Sequence, residues 1–105
     1  MDNAETYGCE DECDVALLCY VLHEAPEEGR RALVANAMRI ARRSVYIMDI
    51  APSYQPSQLM LTGEPYLLDY LSNIDNEVAD AALRTRGLVA ETLANGRVAV
   101  YNLIL

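Results

Sequence analysis

Residues 14–22 (DVALLCYVL) form an unbroken apolar run opened by an acid. Its length and lack of polar alternation predict a strand buried on both faces, as in a parallel sheet. Residues 26–43 (PEEGRRALVANAMRIARR) switch to the helical period, with Leu33, Val34, Ala37, Met38, Ile40 and Ala41 on one face. Pro26, Glu27 and Glu28 suit the first turn of such a helix. Arg39, Arg42 and Arg43 suit the negative end of its dipole. Residues 44–50 (SVYIMDI) return to an apolar strand. Strand, helix, strand in that order is a βαβ unit, for which a right-handed crossover is expected.

Pro52 and Pro56 then punctuate a polar loop. From Ser57 to about Ile74 the pattern is helical again, with Leu59, Met60, Leu67, Leu68 and Leu71 apolar and with Gly63 and Pro65 breaking it into two pieces. Asp75 and Asn76 are placed to cap a further helix over residues 77–86, ended by Gly87. Two strand-like runs close the chain, residues 88–94 and 97–105, joined by Asn95-Gly96. Asn-Gly between such runs predicts a hairpin with a type I′ turn. The element order is β-α-β-α-α-β-β, an α/β chain with a four-strand mixed sheet ending in an antiparallel hairpin. No internal repeat or low-complexity tract interrupts it.

Composition narrows the function classes. The chain has 105 residues and a formal net charge of −8, one domain at most. Residues 1–28 hold nine acids and no base, and every base in the chain is arginine. An acidic head (residues 1–12) repels phosphate backbones, which argues against nucleic acid. No stretch is long enough to span a bilayer, and the first residues do not read as a secretory signal, so a cytoplasmic setting is expected. Cys9, Cys13 and Cys19 are an odd set without paired C-x2-C spacing. This predicts reduced thiols, no disulfide framework and no metal, although His23 could complete a zinc set on paper. No calcium-binding oxygen pattern is present either.

The segment CDVALLCYVLHEAPEEGRRALVANAMRIARRSVYIMDIAP resembles the fourth strand, following helix and fifth strand of class I S-adenosylmethionine-dependent methyltransferases. The tail RGLVAETLANGRVAVYNLIL is similar to the closing strands of that family, including its antiparallel final strand. The resemblance covers about residues 12–105. It implies a three-layer, Rossmann-like half-domain, residues 1–105 being a single partial domain with residues 52–74 as a helical insert or lid. It also implies S-adenosyl-L-methionine as cofactor and a small-molecule acceptor. The departure is large: no G-x-G spacing exists, so the usual nucleotide-cradling turn cannot be built. The expected function is therefore the C-terminal portion of such an enzyme, the isolated chain being inactive. The alternative is a non-catalytic dimeric interaction or regulatory module derived from the fold.

The resemblance also locates candidate residues. In open α/β sheets ligands bind at the carboxyl ends of strands, where His23 sits with Glu24 beside it. The Leu22-His23-Glu24 turn looks like that of methyltransferases whose histidine takes a proton from the acceptor; otherwise His23 only hydrogen-bonds near the helix start. Cys19, Tyr20 and Val21 would lie against the methionine part of the cofactor, or simply pack in the core. Asp49 would face the substrate or cap its loop. Tyr54, Met60, Tyr66 and Tyr70 would line the acceptor site, with Glu64 and Asp69 in the same insert. The bland alternative is an amphipathic helix packed on the sheet.

In the complete family sheet the first strand here lies mid-sheet, whereas in this chain it is an edge. A long apolar edge without lysine, proline or interior charge invites pairing. The expected partner is a second copy through residues 14–22, forming a twofold dimer with a continuous eight-strand sheet, or the missing N-terminal half.

Overall fold

In the computed structural model, which describes residues 13–105, the apolar runs are strands: β1 (Cys13–Cys19), β2 (Ala41–Ile50), β3 (Gly87–Leu93) and β4 (Val98–Ile104). The acidic head and Cys9 lie outside the described residues. The sheet order is β1-β2-β4-β3. β1 pairs parallel with β2, whereas β4 pairs antiparallel with both β2 and β3. Three helices complete the fold: α1 (Glu27–Ile40), α2 (Gln58–Gly63) and α3 (Leu67–Ala82). The element order β-α-β-α-α-β-β and the mixed four-strand sheet stand as read from the sequence. Among the described residues no helix is long and apolar enough to cross a membrane.

Two helix boundaries differ from the sequence reading. α1 ends at Ile40, so Arg42 and Arg43 belong to β2 and not to the helix end. The strand reaches back because Ala41 pairs with Cys13 at the start of β1, and Arg42 meets Asp14 there at 3.0 Å. Gly63 and Pro65 do separate α2 from α3, and the Ser57 hydroxyl caps α2 by accepting from the Met60 N–H at 3.2 Å. Asp75 and Asn76, however, do not start a new helix: α3 runs straight through them. Its buried positions Leu67, Tyr70, Ile74, Val78 and Ala81 form one continuous stripe at helical spacing. Packing of that stripe outweighs two local capping residues.

The Asn-Gly turn forms as expected. Asn95 (φ 57°, ψ 38°) and Gly96 (φ 85°) are both left-handed, and the Arg97 N–H donates to the Ala94 carbonyl at 3.3 Å. Strand pairing stops one step earlier, at Leu93 opposite Val98, because Ala94 also sits at φ 53°.

Register assigns every strand residue to a face. Ala16, Leu18, Val45, Ile47, Asp49, Ala99, Tyr101 and Leu103 share the face on which α1 and α3 pack, and this is where the core lies. A buried ion pair ties the two helices together. Arg30 of α1, 1% exposed, donates from Nε and Nη2 to the two Glu77 carboxylate oxygens of α3 at 2.8 and 2.7 Å. It also reaches Asp69 at 2.7 Å and the Ala25 carbonyl at 2.8 Å. Hydrogen bonding to Glu77 raises the guanidinium pKa further, so Arg30 stays charged.

The opposite face carries Val15, Leu17 and Cys19 from β1, Tyr46 and Met48 from β2, Val100 and Ile104 from β4, and Val89 and Leu93 from β3. Leu17 is 61% exposed and Val89 56%. Two layers, helices and sheet, are thus filled by the described residues. β1 was expected to be buried on both faces; it is covered on one only, because both long helices pack on the same side.

Candidate functional site

Parallel pairing sends β1 and β2 in the same direction, so their carboxyl ends emerge side by side. The Tyr20 N–H donates to the Met48 carbonyl at 2.8 Å, carrying the pairing one residue past β1. Tyr20 itself is at φ 56°. A bulky residue in the left-handed region carries strain of order 1–3 kcal/mol, a feature that clusters at functional sites. The reversal at Tyr20 leads into a 3-10 turn, Leu22–Glu24, whose Leu22 is fully buried. That apolar anchor places His23 over the end of β2.

There His23 meets Asp49. Nδ1 lies 2.8 Å from Asp49 Oδ1, which also accepts the Ile50 N–H at 2.8 Å. Oδ2 of the same carboxylate accepts the Leu22 N–H at 2.9 Å. Asp49 is 0% exposed, and three donors satisfy it. A carboxylate on Nδ1 selects the tautomer with its proton there, which leaves the Nε2 lone pair free. Tyr70 of α3 closes the inner wall, its ring edge-on to His23 at 73° with centroids 6.3 Å apart. Its hydroxyl donates to the Ile50 carbonyl. Burial, reinforced by the Asp49 charge, raises the Tyr70 pKa and keeps the phenol neutral.

Outward from the ring, Nε2 lies 4.0 Å from Glu24 Oε1 and 4.0 Å from Glu64 Oε1. Glu64 sits in the short link between α2 and α3, where its N–H donates to the Met60 carbonyl. The arrangement can accept a proton at Nε2, hold a hydroxyl there, or take a positively charged group between nitrogen and carboxylates.

The sequence-predicted residues are therefore gathered unevenly. His23, Glu24 and Asp49 come together. Asp49 is buried, and its carboxylate holds His23 Nδ1 together with the Leu22 and Ile50 N–H groups. Cys19, Tyr20 and Val21 are exposed at the strand end and are not core residues. Tyr54 and Met60 meet each other, the hydroxyl 3.6 Å from the sulfur, and Tyr66 is exposed just ahead of α3. Tyr70 is fully buried and packs edge-on against His23. Asp69 turns to Arg30. Sequence reasoning placed Glu64 in the insert but did not bring it to His23, and it did not single out Arg30 or Glu77. No local motif signals those contacts, because each joins distant stretches of chain.

A groove of about 540 Å³ lies between α1 and α3, bordered by Arg31, Val34, Asp80, Ala81 and Arg84. A smaller hollow of about 300 Å³ lies beside Pro52, Ser53, Asp75 and Tyr101. Neither is lined by His23; the convergent polar chemistry is at the strand ends. No protein-family model and no curated protein matches this chain.

Proposed function

We propose that this chain forms the second half of an S-adenosylmethionine-dependent methyltransferase domain acting on a small-molecule hydroxyl or amine. The observation that carries the reading is the His23–Asp49 pair at the carboxyl ends of two parallel strands, with Nε2 turned outward. The antiparallel final strand seated against β2 supports it, as do the exposed Cys19, Tyr20 and Val21 beside the histidine.

One chain alone lacks the glycine-rich part of a cofactor seat, and a second copy or further strands beside the open β1 edge would have to complete it. No glycine-rich turn exists in the sequence, and the β1 edge, beyond which the remaining strands would lie, is open among the described residues. The role assigned to this chain is on the acceptor side. His23 Nε2 takes the proton of the acceptor group, Asp49 fixes the ring, and Tyr70 and Leu22 keep water from its inner side. The test is calorimetric titration of the chain with S-adenosylhomocysteine, with its mass in solution measured alongside. Saturable binding, weakened at least about tenfold by Val21→Asp, supports a cofactor site rebuilt on this half. A folded chain that binds neither S-adenosylhomocysteine nor S-adenosylmethionine rejects the enzymatic reading for the chain alone.

The second reading is a non-catalytic association module. It is favoured by the apolar sheet face bearing Leu17, Tyr46 and Val89 and by the free edge of β1. Its partner would be a second copy, edge to edge, in a twofold dimer.

A further inference from the structure

The geometry points to a seat for a divalent transition-metal ion formed by His23 Nε2, Glu24 and Glu64. The three candidate ligand atoms lie within 4.8 Å of one another, and the nitrogen is 4.0 Å from an oxygen of each carboxylate. None of the three atoms is a hydrogen-bond donor when the ring carries its proton on Nδ1. A lone pair facing two carboxylates is electrostatically unfavourable unless a positive charge stands between them. At 4.0 Å a proton on Nε2 is too far from either carboxylate to be shared in a hydrogen bond. A metal ion bridges that gap. With metal–ligand distances of about 2.0–2.2 Å, tetrahedral ligands stand about 3.4 Å apart, so a modest inward movement of two flexible glutamates closes the site.

Two further observations distinguish this cluster from a chance gathering of acids. His23 is only 8% exposed, and its Nε2, which makes no hydrogen bond among the described residues, is aimed at the cluster. Its other nitrogen is held by a fully buried carboxylate, the outer partner that fixes and strengthens a metal-ligating imidazole. One nitrogen and two carboxylate oxygens suit zinc, cobalt, manganese or ferrous iron better than magnesium or calcium. Three protein ligands leave a coordination position for water or a substrate oxygen. The sequence spacing pointed away from metal because it weighed the cysteines; these ligands come from one turn and a remote helix link.

The seat stands on these side chains whether or not the methyltransferase reading holds. The two uses share one nitrogen, so a metal-loaded chain has no free base at His23. The experiment is calorimetric titration of the full chain with Zn2+, in a background where Cys9, Cys13 and Cys19 are changed to serine, followed by Co2+ absorption spectroscopy of the unsubstituted chain. One ion per chain is expected, with affinity lowered about tenfold or more by Glu64→Gln, by Glu24→Gln and by His23→Gln. Co2+ should give a spectrum without a thiolate charge-transfer band. Glu64→Gln alters a partly exposed side chain, so its circular dichroism should match that of the parent. Zn2+ affinity unchanged in folded Glu64→Gln, no binding up to millimolar Zn2+, or a cobalt–thiolate band overturns the proposal.

Discussion

Arg30 and Glu77 face one another across α1 and α3 through two parallel hydrogen bonds, 2.8 and 2.7 Å, with both residues buried. Asp69 and the Ala25 carbonyl take further guanidinium protons. Desolvating such a pair offsets much of its Coulomb attraction, but leaving either charge alone is costly. Glu77→Ala removes two charge-assisted hydrogen bonds but leaves Arg30 its contacts with Asp69 and Ala25, so it should lower unfolding stability by about 2–3 kcal/mol. The double replacement Arg30→Met with Glu77→Leu should lose less than Glu77→Ala alone. Urea denaturation of the three proteins measures this, and a double replacement as damaging as the single would refute it.

The His23–Asp49 pair makes a spectroscopic prediction. In the neutral ring the proton should reside on Nδ1, visible in nitrogen-15 spectra of the imidazole. Asp49→Ala should erase that preference and strand the Leu22 and Ile50 N–H groups, lowering stability by about 1–3 kcal/mol for each buried donor left unsatisfied. A wild-type ring protonated on Nε2 would contradict the assignment.

Self-association through the β1 side should respond to one charge. Leu17 is 61% exposed on an edge strand, so Leu17→Lys should change folding stability by no more than about 0.5 kcal/mol. In sedimentation velocity at tens of micromolar the wild-type chain should run as a dimer and Leu17→Lys as a monomer. A monodisperse wild-type monomer would remove the dimer.

Backbone strain at the hairpin predicts a gain. Ala94 at φ 53° carries a Cβ where glycine is preferred, so Ala94→Gly should raise the unfolding free energy by up to about 1 kcal/mol, net of the entropy glycine adds to the unfolded chain. Denaturant midpoints would report it, and a lowered midpoint would count against it.

Alkaline pH should destabilise the protein through two phenols. Burial raises the Tyr70 and Tyr101 pKa values, and Tyr101 also donates to Asp75 at 2.6 Å. In the unfolded chain both ionise near about 10. Above that pH the native state holds more protons than the unfolded state, so their contribution is complete below about 10 and is lost as pH rises. Tyr101→Phe should flatten the fall of stability with pH above about 10, measured by urea unfolding across that range.

Legibility followed the range of the interaction. The βαβ start, the break at Gly63 and Pro65 and the Asn95-Gly96 turn are set by backbone preferences and hydrophobic period within short windows, and each is present. Where a local signal competed with packing, packing won: Asp75 and Asn76 lie inside α3, and Arg42 and Arg43 lie in β2. His23 could be singled out because it follows a strand, but its alliance with Asp49 spans 26 positions and its approach to Glu64 crosses the insert.

By itself, then, the sequence determined the element types and order, since helix and strand periods and turn chemistry act over a few residues. Tertiary structure decided which face of the sheet α1 and α3 cover, which carboxylates reach His23, and that Arg30 is buried between two helices. Those outcomes depend on the direction in which each side chain leaves its strand or helix once the elements are docked. A one-residue shift in register reverses that direction, and no local pattern encodes it.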